Sequence, residues 1–160
     1  MLDDIKNYYR TRGYMSGVER DKHRVKQTAE VFTPTPLVQE MLNKLEEQDP
    51  TLFSDPTKTF LDNSCGDCQF LSEVVIKKME KSGCSLEEAL STTYGVEFMK
   101  DNVIECRIRL AGPNPSRTVI KIVETNIVCA DALKYDYSFK KKRGLGKKKL
   151  QNHNKQLKLF

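Results

Sequence analysis

Asp62, Glu97 and Asp131 are the residues best placed by type and spacing to do chemistry, because each closes a short apolar run. The runs are Thr59-Phe60-Leu61, Thr93-Tyr94-Gly95-Val96, and a stretch from Thr118 to Ala130 rich in Val and Ile. Short apolar, β-branched runs that stop at a polar residue read as buried strands. An ionised carboxylate only accepts hydrogen bonds, so three of them at successive strand ends could gather round a ligand with several hydroxyl or amino groups. Directly after Asp62 comes Asn63-Ser64-Cys65-Gly66-Asp67-Cys68, in which Gly66 allows the backbone to approach a ligand closely. A lone strand-end acid is as often a turn or cap residue. The order and register of all three make the stronger signal.

The elements that must position these acids follow from periodicity. Glu30-Val31-Phe32-Thr33-Pro34-Thr35-Pro36 imposes extended backbone, then offers a Thr cap with Pro in the first helical turn. Leu37, Val38, Met41, Leu42 and Leu45 then fall at helical spacing, which predicts an amphipathic helix over 35–47. Phe70, Leu71, Val74, Val75 and Met79 mark a second helix that Gly83 stops, and Ser85-Leu86-Glu87-Glu88 is a capping box for a short third one. Residues 99–110 form another helix with Val103, Ile104, Ile108 and Leu110 inward, broken by Gly112-Pro113-Asn114-Pro115. Helices alternating with buried strands imply an α/β fold, with a parallel sheet covered by helices on both faces. Such sheets bind ligands outside the carboxyl ends of their strands, where the three acids lie.

Charge divides the chain of 160 residues. Of its 27 basic residues nine fall in 138–160, where there is no acid, which leaves 18 basic against 22 acidic residues before it. The expected organisation is a helical arm over 1–30, a ligand-binding domain over 31–137 and a basic tail over 138–160. The arm is locally basic through Arg10, Arg12, Arg20, Lys22, Arg24 and Lys26, a pattern that fits a solvated face. The tail carries Lys140, Lys141, Lys142, Arg143, Lys147, Lys148 and Lys149 with Gly144 and Gly146, the composition of a disordered arm able to contact DNA or RNA phosphates without sequence specificity. No apolar run approaches the ~20 residues of a membrane span. The five cysteines, Cys65, Cys68, Cys84, Cys106 and Cys129, are odd in number and come without a secretion signal, so reduced thiols and a cytoplasmic setting are expected. Cys65-Gly66-Asp67-Cys68 has no second pair at zinc-finger distance, and no metal is expected. No GxxxxGK[ST] follows any strand, which disfavours nucleoside triphosphate hydrolysis.

Four segments, in order, resemble the cofactor motifs of the S-adenosylmethionine-dependent DNA adenine-N6 methyltransferases. Val31-Phe32-Thr33-Pro34 with Leu37-Val38 looks like that family's upstream (F/Y)TP segment. Phe60-Leu61-Asp62-Asn63-Ser64-Cys65-Gly66-Asp67-Cys68-Gln69-Phe70-Leu71 is similar to its first motif, (V/F)LDPxCGxGxFL. Tyr94-Gly95-Val96-Glu97-Phe98 matches xGxE(I/L), and Ile127-Val128-Cys129-Ala130-Asp131-Ala132-Leu133 matches the GD(A/F)L segment. The likeness covers 30–133, about two-thirds of the chain. It implies a partial Rossmann-like methyltransferase fold that binds S-adenosylmethionine. By the same resemblance Phe32, Thr33 and Pro34 lie beside the methionine part, and Asp62, Ser64, Cys65 and Gly66 form the first cofactor loop. Glu97 takes the ribose hydroxyls, Phe98 packs on adenine (its alternative is a core position), and Asp131 with Ala132 receives the adenine amino group. Cys68 departs from the pattern, which has a second glycine there; its side chain is expected to crowd the ligand or shift the loop.

The family's catalytic motif, (N/D/S)PP(Y/F), follows the adenine-binding Asp, whereas the 29 residues after Asp131 contain no proline. No catalytic residue is therefore assigned, and the chain is expected not to methylate DNA by itself. The resemblance also implies an unpaired edge on the first strand, to be covered by self-association or by a second chain that completes the sheet and supplies the missing motif. The alternative is a non-enzymatic protein on a degenerate methyltransferase fold that binds nucleic acid or a restriction–modification component.

Overall fold

The computed structural model of the protein describes residues 1–12 and 33–139. Among these are six helices and three strands: α1 (Leu2–Thr11), α2 (Thr35–Gln48), β1 (Phe60–Asp62), α3 (Gln69–Ser82), α4 (Leu86–Ser91), β2 (Thr93–Glu97), α5 (Lys100–Ala111), α6 (Arg117–Asn126) and β3 (Ile127–Cys129). The strands form a small open parallel sheet in the order β1-β2-β3. Local signals set the helix ends. Pro34 caps α2 with Pro36 in its first turn, and Gly83 ends α3 at φ +71°. The Ser85–Glu88 capping box opens α4.

Two sequence expectations are corrected. Residues 117–126, whose β-branched run suggested a strand from Thr118, form α6 instead, and only Ile127–Cys129 enters the sheet. The Ser116 hydroxyl accepts from the Val119 N–H at 3.1 Å, satisfying an orphan donor of the first turn. Val119, Val123 and Asn126 are then buried at helical spacing, and packing of that face outweighs strand propensity, which depends strongly on context. In α5, Ile104 and Ile108 are only half-buried, while Asn102, Val103, Cys106, Arg109 and Leu110 point inward. The helix is turned so that Arg109, 1% exposed, can reach polar partners in the interior.

The N-terminal helix is built into the core. Ile5 and Tyr9 join the main apolar cluster with Leu71, Val75, Leu90, Val103, Leu110 and Val123. The Tyr9 hydroxyl donates to Leu110 O at 2.8 Å, and Arg10 donates twice to Glu73 of α3 at 3.2 and 2.9 Å. A smaller cluster of Val38, Leu42, Phe53 and Val74 fixes α2 to α3. Buried Lys78 reinforces it by donating to Pro56 O, Lys58 O and Thr92 Oγ1. The remainder of the basic arm and the basic tail from Lys140 onward lie outside the described residues.

Winding in one direction decides which sheet face is covered. Crossovers between parallel strands are right-handed in nearly all proteins, so β1→β2→β3 in spatial order sends both crossovers to one face. Gly95 is on that face: a Cβ there would lie 2.8 Å from Cys65 Sγ and 3.0 Å from both Ile127 Cδ1 and Leu71 Cδ1. On the other face Leu61 is 53% exposed, and Tyr94 is met by Phe139 with ring centroids 4.8 Å apart. The expected covering by helices on both faces is therefore not found at Leu61. The α2 residues Leu37, Met41 and Leu45 are also exposed, although their spacing suggested a packed face. No helix among the described residues is long and apolar enough to cross a membrane.

The close fit at Gly95 gives a first prediction. Gly95→Ala is expected to destabilise the fold by about 1–3 kcal/mol through overpacking, read as a lower urea midpoint. An unchanged midpoint would mean that the sheet does not sit this tightly on α3.

Candidate functional site

Because the strands are parallel, Asp62, Glu97 and the residues after Cys129 emerge along one edge of the sheet. Asp62 pairs in register with Gly95, and Glu97 with Cys129. The turn after β1 crosses the end of β2. Ser64 N–H donates to Asp62 Oδ1 at 3.0 Å, Cys65 N–H to Val96 O at 3.1 Å, and Gly66 N–H to Glu97 Oε2 at 2.9 Å. Glu97 Oε1 accepts from Met99 N–H at 2.7 Å. A single carboxylate, 8% exposed, thus ties the glycine turn to the start of α5. Ala130 N–H donates to Glu97 O at 3.0 Å, which brings the Asp131 segment alongside.

The turn needs left-handed backbone twice, at Gly66 (φ +53°) and at Cys68 (φ +67°). Sequence reasoning expected Cys68 to crowd the ligand or displace the loop. Instead Cys68 itself takes the glycine-like conformation, at a cost of about 1–2 kcal/mol for an L-residue, and its side chain turns inward, fully buried. There it is disulfide-bonded to Cys106 of α5, with Cα atoms 4.8 Å apart. That corrects the expectation of five reduced thiols. The bond became possible because α5 presents Cys106 on its inward face.

The acids differ in environment. Burial holds the Asp62 carboxyl above the usual aspartate range; the Glu97 charge adds to this and the Ser64 N–H opposes it. Asp131 is held below its ordinary value, chiefly by Lys134 Nζ at 3.0 Å and then by Leu133 N–H. Phe98 is 67% exposed, so it is not a core residue and its ring is open to a partner. Ser64 is exposed, Cys65 buried and Ala132 half-buried.

Thr33 and Pro34 precede α2, whose first residue reaches the site indirectly. Gln69 Nε2, at the start of α3, donates to Thr35 Oγ1 at 3.2 Å, and Gln39 Nε2 donates to Glu73 at 3.0 Å. Gln69 Oε1 is buried without a hydrogen-bond partner, and no sequence pattern marked it. Phe32 lies outside the described residues. Thr33 and Pro34 therefore stand near the first turn of α3, while Asp62, Ser64, Cys65, Gly66, Glu97 and Asp131 form one connected group.

Sequence reasoning also missed what stands behind the turn. Arg109 donates through Nε to Asp67 O at 2.9 Å and through Nη1 to Tyr9 O at 3.0 Å, and its Nη2 lies 3.4 Å from Asp67 Oδ2. Asp67 and Arg109 are both 1% exposed. A guanidinium with five fixed donors can serve several interior acceptors at once, which a lysine cannot do in the same geometry.

No protein-family model, no curated protein and no solved structure matches the chain.

The raised Asp62 carboxyl predicts a pH effect. Between the unfolded aspartate pKa and the higher folded one, the native state binds more protons, so stability falls as pH rises through that window. Asp62→Asn keeps an acceptor for Ser64 N–H and removes the buried charge. It is expected to flatten this slope and to gain about 0.5–2 kcal/mol at neutral pH, the size usual when a functional site is relieved. Urea midpoints of both proteins from pH 3.5 to 7.5 would show this; parallel curves would contradict it.

Proposed function

We propose that the strand-end group binds S-adenosylmethionine, and that the chain is a DNA adenine-N6 methyltransferase-like protein holding the cofactor-binding part of a Rossmann-like sheet. The observation that carries this reading is the 2.9 Å hydrogen bond joining Glu97, at the end of β2, to Gly66 in the turn after β1. Acid and glycine turn form one unit at the carboxyl ends of parallel strands, flanked by Asp62 and Asp131. Open α/β sheets bind ligands there, at the point where the winding reverses. The free edge of β1 is where such a reversal would occur, and the turn lies beside it.

Each role follows from the chemistry of the group. A carboxylate has about four acceptor sites, so Glu97 can accept from two vicinal ribose hydroxyls while keeping its backbone donors. Phe98 offers an exposed face to adenine, and Asp131 and the Ala132 backbone meet its amino edge. Asp62 stands toward the sulfonium, whose positive charge would offset the burial of its carboxylate. Phe32, Thr33 and Pro34 would flank the methionine part, with Gln69 Oε1 as a nearby acceptor for its ammonium group. Ser64, Cys65 and Gly66 supply the loop.

The 160 residues contain no paired prolines. Methyl transfer to DNA is accordingly proposed only when a second chain supplies the (N/D)PP(Y/F) loop that grips the flipped base. The open β1 edge, with Leu61, Leu37, Met41 and Leu45 exposed, supports association there, either with that chain or with another copy. Equilibrium dialysis against labelled S-adenosylmethionine tests the binding claim. Saturation at one ligand per chain is expected; no retention at millimolar ligand would leave the non-enzymatic reading, with the basic tail as its nucleic-acid contact.

A further inference from the structure

The fold brings together three sulfurs that the sequence keeps apart. Cys65 lies in the turn after β1, Cys68 caps α3 and Cys106 is in the middle of α5; their Sγ atoms lie within 4.8 Å of one another. All three are buried, at 5%, 0% and 0% exposure. The disulfide uses two of them and gives no reason for the third. Cys65 Sγ nevertheless points into the same interior space, where the absence of a side chain at Gly95 makes room for it. Cys68 also holds a left-handed conformation that a glycine would adopt without strain.

We propose that Cys65, Cys68 and Cys106 form a three-thiolate zinc site when the Cys68–Cys106 disulfide is reduced. The redox step balances with a dithiol as reductant: the Cys68–Cys106 bond accepts two electrons and two protons, and the dithiol becomes its own disulfide. Zinc then displaces the protons of the coordinating thiols to solvent. Zinc–sulfur bonds of about 2.3 Å in a tetrahedral set place sulfurs about 3.8 Å apart. The separations observed lie within about 1 Å of that geometry, so only small side-chain rotations are required. Thiolate sulfur selects soft or borderline cations such as zinc and monovalent copper. Charge decides between them. Asp62, Glu97 and Asp67 are close enough to act on the Cys65 thiol, and in that acidic setting a divalent ion offsets more of the thiolate charge than a monovalent one. The fourth position is left to water or to a ligand.

The sequence could not reveal this site, because a lone CxxC has no partner pair and nothing in the spacing ties Cys106 to it. The inference is independent of S-adenosylmethionine, since it concerns the interior side of the turn.

Cobalt(II) as a spectroscopic stand-in for zinc tests it. The full chain is reduced with dithiothreitol under argon, desalted and titrated with Co²⁺. Expected are a thiolate-to-cobalt charge-transfer band in the near ultraviolet that saturates at one equivalent, loss of the band on adding Zn²⁺, and no band before reduction. Cys84→Ser, outside the cluster, should bind as wild type does. Cys65→Ser keeps the Cys68–Cys106 pair for folding and should lose the band, with its fold checked by circular dichroism. Reduced wild type without a charge-transfer band would overturn the proposal whatever the variants do. A band of full strength in Cys65→Ser would overturn it equally.

Discussion

Arg109→Met is expected to be among the most destabilising single substitutions in the protein, at about 3–5 kcal/mol, the range for removing one partner of a buried charge pair. Three contacts are lost together: Nε to Asp67 O, Nη1 to Tyr9 O and Nη2 to Asp67 Oδ2. Methionine matches the stem of arginine, so the loss comes from polar groups stranded in the interior more than from a cavity. The Asp67 carboxylate, 1% exposed, then stays buried without the guanidinium. Because Asp67 lies within the glycine turn and Tyr9 within α1, the variant should also loosen the turn and free the N-terminal helix. Chemical unfolding followed by circular dichroism would show a large fall in midpoint. Asp67→Asn combined with Arg109→Met should recover part of the loss, since the stranded charge is gone. A fall below about 1 kcal/mol would mean that this interior pair is not what holds the turn down.

Glu97→Gln is expected to weaken S-adenosylmethionine binding about 10- to 100-fold, because two charge-assisted hydrogen bonds to ribose become ordinary or reversed ones. The side chain is nearly the same size, so packing is preserved. Its chemistry is not: a carboxylate accepts from both Gly66 and Met99 N–H, whereas a glutamine has only one accepting end. One backbone donor must lose its partner, at about 1–3 kcal/mol. The variant therefore reads out in two independent ways, as weaker binding and as faster amide exchange at Gly66 or Met99. Binding lost without faster exchange would assign Glu97 to the ligand alone. Faster exchange with unchanged affinity would make it a structural clamp and remove it from the site.

Sequence and structure agree where local chemistry decides. Gly83, the Ser85–Glu88 box and the Pro34–Pro36 start are short-range signals and act as read. The strand ends at Asp62 and Glu97 were legible because an apolar run stops at an acid in each case. The stretch 118–126 was not, since Val119-Ile120-Lys121-Ile122-Val123 satisfies both periods and only the packing of Val119, Val123 and Asn126 chooses between them. Arg109 and Cys106 were invisible for a related reason: their partners, Asp67, Tyr9 and Cys68, come from distant parts of the chain. The covering of one sheet face follows from strand order, which no local pattern encodes.

The central claim is that the connected group at the strand ends is a ligand site for S-adenosylmethionine, and amide NMR on the labelled protein tests it most directly. Titration with the cofactor should shift the Gly66, Ser64, Phe98 and Leu133 amides together along one saturable curve, because those N–H groups belong to or border the carboxylates that would hold it. Shifts confined to other residues, or none at millimolar cofactor, would contradict the account.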